Sequence, residues 1–214
     1  MTALASVAER TRSVRLIFLI AAPLAYAALL LFHPIPDHGP VLHGLDHALD
    51  RWTVVHVAQL GFIGAMGGAL LWLVHGLTGR AATVSRVSAV VFVLAYGAYE
   101  AWTGIGTGSL IATASGLSDA DQHASSALVQ AHWDSPVLGN VSFGGIAGAA
   151  AWLAATSSAA VALRRVGATT ATVVCLVASG VLFAPTHVPP IGPIAMVLFA
   201  AAVLQLEHTG RKDA

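Results

Sequence analysis

The sequence predicts an all-α polytopic membrane protein: a six-helix transmembrane bundle with short amphipathic helices in two outer loops. Three observations lead there. Of 214 residues, 57% are hydrophobic and 9% charged, with a mean hydropathy of +0.78, whereas soluble domains carry about 25% charged residues. The apolar residues gather into six runs of near-spanning length, separated by connections rich in Pro, Gly and Arg. The cations are distributed very unevenly among those connections.

Residues 1–15 are polar and end in Arg10, Arg12 and Arg15, ahead of an apolar run predicted to span about 16–33. A basic flank, an apolar stretch and Ala25-Tyr26-Ala27 resemble a cleavable signal. The run continues to Phe32, however, beyond the roughly 7–15 residues of a signal core, so it reads as an uncleaved first helix with a kink at Pro23. Next comes the histidine-rich stretch His33–His56. Gly39-Pro40 suits a helix start. Val41, Leu45, Ala48, Leu49 and Trp52 then share one helical face, which predicts an interfacial helix running on into a second span over about 52–77. Trp52 and Trp72 mark its two aromatic belts.

The third span is predicted over about 87–105, followed by a polar, Gly/Ser-rich segment, 106–138. Within it, Ser118-Asp119-Ala120-Asp121 has the form of a capping box and starts a helix reaching about Trp133. Spans over about 139–163, 168–184 and 191–207 complete the set. The whole chain, 1–214, reads as a single integral membrane domain.

With six spans, Arg10, Arg12, Arg15, Arg80, Arg86, Arg164, Arg165, Arg211 and Lys212 fall on one side and only Arg51 on the other. Both termini are then expected to be cytoplasmic, in a bacterial inner membrane. The bilayer is the expected partner. Net charge is zero and no basic run occurs, which argues against nucleic acid. A lone Cys175 excludes an intrachain disulfide or a Cys-based zinc site. Gly64-x-x-x-Gly68 and Gly144-x-x-x-Gly148 predict close helix contacts, within the bundle or in a homo-oligomer.

This topology sorts the histidines. His33, His38, His43, His47, His56, His123, His132 and His187 lie at or beyond the outer face with six aspartates (37, 46, 50, 119, 121 and 134), and only His75 and His208 lie at the inner one. Imidazoles and carboxylates without thiolate suit a transition metal, with Zn, Cu or Fe as the candidates. His43 and His47, at i and i+4, would project from one face of a helix. They lack the Glu of the HExxH signature, which counts against a zinc peptidase.

Glu100 is the most pointed residue. It lies fourteen residues beyond Arg86, about 21 Å along the helix, in the outer third of an apolar core roughly 30 Å thick. An ionisable group there is costly and points to function. His56 is four residues inside Trp52 at a similar depth, with Gln59 one turn deeper. Asn140, Ser142, Thr186 and Tyr26 also fall in outer halves. His187 sits on a short connection stiffened by Pro185 and Pro189-Pro190.

The expected metal set is therefore His43, His47, His56, Glu100, His132 and His187. Glu100 is the candidate catalytic acid–base residue, or else a carboxylate that orients a histidine. A metal-dependent oxidoreductase or hydrolase follows from that set. His56 and His187 would alternatively hold a b-type haem. A transporter, or a structural subunit without catalysis, is the remaining class. Glu100 hydrogen-bonding between helices is the corresponding bland role.

Overall fold

The computed structural model describes residues 2–210, with side chains described from Ser13 to Thr209 except at Asp46. Expectations resting on the side chains of Arg10, Arg12, Asp46, Arg211 and Lys212 lie outside the described residues. Among the described residues all regular structure is helical. Helix α1 covers Thr2–Leu30, α2 Val41–Gly44, α3 Leu49–Leu73 and α4 Arg80–Tyr99. A π-helical segment, Glu100–Gly106, joins α4 to α5, Thr107–Ser115. Then come α6 (Asp119–Trp133), α7 (Phe143–Arg165), α8 (Thr170–Phe183) and α9 (Ile191–Gly210).

Among the described residues, five stretches are long and apolar enough to cross a membrane: Ser13–Leu30, Leu49–Leu73, Arg80–Ser115, Phe143–Arg165 and Ile191–Thr209. Their outward faces are apolar too, with Ile17, Val57, Val87, Leu94 and Val197 all exposed. A helix apolar on every side belongs in a core or in lipid. The sixth apolar helix, α8, has only 14 residues, about 21 Å at 1.5 Å per residue.

The packing is a closed ring. Helix α1 contacts α3 and α9, α3 contacts α4, α4 packs most extensively on α7, and α7–α8–α9 closes the circuit. Inside the ring, Tyr26, Met66, Phe92, Trp152, Phe183 and Phe199 form the centre of the core, each essentially excluded from solvent. Small residues bring the α4–α7 pair close. A Cβ on Gly148 would press against Tyr96 and one on Gly145 against Tyr99, whereas Gly144 faces Leu138 and Val137 in the preceding loop. Of the predicted Gly144-x-x-x-Gly148 pair, only Gly148 therefore serves this helix contact.

A second, smaller core caps one end. Val41, Leu42, Leu45, Trp52, Ile111, Ala114 and Val129 bury one another where α2, α5 and α6 cover the start of α3. Two predicted boundaries change here. The third apolar helix does not stop near Ile105 but continues to Ser115, because Ile111 and Ala114 supply an apolar face for α2 and α6 to cover. The continuous helix predicted from Val41 to Trp52 breaks at Leu45 into α2, a 3-10 turn over Asp46–Ala48, and α3. Gly44 sits against the Asp37 backbone, whose amide donates to the Gly44 carbonyl at 3.1 Å.

Candidate metal centre

Four buried side chains from four parts of the chain converge at the capped end. His33 follows α1: its amide still donates to the Leu30 carbonyl at 3.1 Å, and Pro34 then bars the residue before it from continuing the helix. The ring is 8% exposed and packs against those of Trp52, His56 and His187. His56 lies two turns into α3. Its Nδ1–H donates to the Trp52 carbonyl at 2.7 Å, which leaves Nε2 with its lone pair exposed to the interior.

His187 is carried by the connection between α8 and α9. Its Nδ1 is 2.7 Å from the Tyr96 hydroxyl and its Nε2 is 3.1 Å from Nε2 of His33. Glu100, 1% exposed, opens the π-helical segment. Its Oε2 is 3.6 Å from His56 Nε2 and its Oε1 is 3.6 Å from His187 Nε2. Oε1 is buried without a hydrogen-bond partner.

The π-helical segment makes this meeting possible. Such wide turns are rare and concentrate at functional sites. Here Gly104 supplies the space for the His56 ring, into which any Cβ would run. The Gly104 carbonyl accepts from Trp52 Nε1 at 2.7 Å, and the Thr103 hydroxyl donates to the Leu138 carbonyl at 2.5 Å. Segment, α3 and the loop before α7 are thereby tied together around the centre.

Chemically, the arrangement is short of a positive charge. With Nδ1 of His56 protonated, its Nε2 lone pair faces a carboxylate oxygen at 3.6 Å, too far for a direct hydrogen bond. One ligand nitrogen from each of His33, His56 and His187 lies within 4.8 Å of the others. Two ligands on a tetrahedral ion with bonds of about 2.0–2.1 Å stand roughly 3.3–3.4 Å apart, against 3.1 Å between the His33 and His187 nitrogens. Burial lowers the pKa of His33 from 6.5 to about 4. Burial, with His33 and His56 alongside, lowers that of His187 as well. Both rings are thus neutral near pH 7, the form that ligates metal.

Above the four side chains opens a cavity of about 640 Å³, lined also by Tyr96, Thr103, Asn140, Ser142 and Thr186. No family model, no curated protein and no solved structure matches this chain. What the centre does must be read from its own chemistry.

The structure brings together three of the residues singled out in the sequence, His56, Glu100 and His187, and adds His33. The signal for His33 was its place at the last turn of an apolar run, directly before a proline. His43 and His47 are not brought to the centre. Both are exposed, the helix that would have aligned them is broken, and His47 Nδ1 lies 3.7 Å from Asp37 Oδ2 instead. His132 is also elsewhere: it stacks on Trp102 at 4.4 Å and its Nε2 meets the Trp102 carbonyl at 3.0 Å. Tyr26 and Gln59 lie in the core, both fully excluded from solvent, and neither lines the cavity over the centre's four side chains.

Proposed function

We propose that this is a multi-pass membrane protein whose bundle binds a transition-metal ion near its outer face, for metal-dependent chemistry on a substrate entering from that side. His33, His56 and His187 are the nitrogen ligands, and Glu100 completes the site as the carboxylate that takes up or delivers a proton. One observation carries the reading: three histidine nitrogens within 4.8 Å of one another, beside a buried carboxylate whose Oε1 has no hydrogen-bond partner. Nitrogen and oxygen donors without sulfur favour Zn, Fe(II) or Cu(II) over Cu(I). An ion held there supplies Lewis-acid or redox chemistry. The protein's own part is to fix the His56 tautomer through the Trp52 carbonyl, to orient the His187 ring through the Tyr96 hydroxyl, and to hold a proton on Glu100.

A haem is supported less well. Bis-histidine ligation by His56 and His187 needs a porphyrin between the two imidazoles, whereas the His33 ring packs against both of them, at 4.9 and 4.8 Å.

The test is metal per chain in purified protein, by elemental analysis, with an absorption spectrum alongside. The wild type is expected to hold about one ion per chain, and His33→Ala, His56→Ala and His187→Ala to lose nearly all of it. Glu100→Gln keeps the shape and removes the charge, and should weaken binding about 10–100-fold. The exposed pair His43→Ala/His47→Ala should retain the ion. Wild-type protein that takes up no stoichiometric metal, even when supplied with Zn, Fe or Cu, refutes the proposal. A Soret band would replace it with haem.

A further inference from the structure

The cavity over the centre differs sharply between floor and lip. The floor is polar: His33, His56, His187, Glu100, Tyr96 and Thr103. The lip is amphipathic: Ile35 59%, Val141 82% and Ile146 64% exposed stand uncovered among the lining residues, beside the exposed Asp37, His38 and Asn140. Next to it in the chain stand Val137 and Phe143, 62% and 74% exposed. Such a rim is out of place in water but suits the boundary between head groups and acyl chains. Behind it, Ala149 and Phe183 carry the apolar wall inward.

Charge narrows the occupant further. Among the described residues no lysine or arginine lines the cavity, and its acidic liners are Asp37 and Glu100. A phosphate or carboxylate head group is ordinarily met by Arg or Lys, and here it would instead confront two carboxylates. The volume, about 640 Å³, lies within the roughly 300–1,000 Å³ usual for small-molecule sites.

We propose that the cavity receives an uncharged membrane amphiphile, its hydroxyl, ester or amide head at the His33–His56–His187–Glu100 floor and its chain leaving over the Ile35–Val141–Ile146 lip. The proposal rests on the metal-centre reading, in which the ion is the polar pole met by the head group, and it names the substrate class for that site. The amphiphile enters laterally from the bilayer, so it need not be soluble in water.

Two photoactivatable probes of the same acyl chain separate the possibilities: a monoacylglycerol and a lysophosphatidate. Each is added to full-length protein in phosphatidylcholine nanodiscs, with labelled residues mapped by mass spectrometry and metal per chain measured on the same sample. The monoacylglycerol is expected to label the Ile146–Ala149 turn and Phe183, to be displaced by excess unlabelled monoacylglycerol, and to exceed the lysophosphatidate several-fold. Val141→Ser with Ile146→Ser should reduce that labelling several-fold without changing metal per chain, since both side chains are exposed. Equal labelling of the cavity by the lysophosphatidate overturns the choice of head group. Labelling spread over outward helix faces and not displaced overturns the site. Metal present with no cavity labelling sinks this inference alone. Absence of metal sinks the centre, and displaceable cavity labelling would then show an amphiphile site without an ion.

Discussion

His56 gives its Nδ1–H to the Trp52 carbonyl, and that one bond decides what Glu100 faces. A lone pair opposite a carboxylate, both buried, is a repulsive pair until a proton or a metal ion sits between them. The same centre sets a pH dependence that does not need the ion. His33 titrates near 6.5 when unfolded and at about 4 in the fold, lowered by burial, and His187 moves the same way. A lowered histidine pKa means that the unfolded chain binds more protons between the two values, so stability rises with pH there. The stability these two rings contribute should therefore be full above about pH 6.5 and fall as pH drops towards 4. The groups facing these two rings are His56, Glu100 and Tyr96, and no lysine or arginine is among them. Thermal unfolding of chelator-treated protein across that window checks the sign. A melting temperature that stays flat or rises on acidification would contradict it.

At the scale of elements, the π-helical segment carries the geometry. Gly104 lies against the His56 ring with no room for a methyl group, whereas Gly97, two turns earlier, has nothing within 4 Å of the place a methyl group would take. Gly104→Ala should cost about 1–3 kcal/mol through overpacking and displace His56, so that bound metal and thermal stability fall together. Gly97→Ala should leave both nearly unchanged. Metal content and melting temperature of the pair decide it, and equal behaviour would mean that the segment is not what positions His56. This element also marks the limit of what can be read from the sequence. Glu100, His56 and His187 stood out because polar groups are conspicuous in apolar or proline-bound surroundings. A π turn leaves no such trace, since seven residues at i→i+5 spacing are too few to shift an apolar period. His43 and His47 misled for the converse reason: their i, i+4 spacing has meaning only on an unbroken helix, and the chain breaks at Leu45. His33 became a core residue only through ring closure, which places the end of α1 beside α3 and the α8–α9 connection.

At the scale of the whole molecule, the two ends of the ring are chemically opposite. The connections 31–40, 134–142 and 184–190 contribute to the cavity at one end. At the other, Arg86 donates to the carbonyls of Val74 and Leu77, Arg164 donates to that of Ala168, and Arg165 lies beside Gly79. Helix α8 starts next to Ala168 and finishes at Phe183, on the cavity wall. Though only 14 residues long, it thus runs from the arginine end to the cavity end. We propose that it is the sixth crossing, its deficit in length met by local thinning of the bilayer. Six crossings return the chain to its starting side, and the positive-inside rule then puts the arginine end and both termini in the cytoplasm. A reporter fused after Asp213 should accordingly behave as cytoplasmic, and one inserted at Gly116, in the turn between α5 and α6, as external. Were α8 to lie along one surface, the chain would cross five times. The termini would then be on opposite sides, and reporters at Gly116 and Asp213 would answer from the same side, because the sixth crossing is the one that separates them. Matching answers from the two positions would remove α8 from the membrane. Opposite answers, with Gly116 cytoplasmic, would keep six crossings and turn the metal centre to the inside.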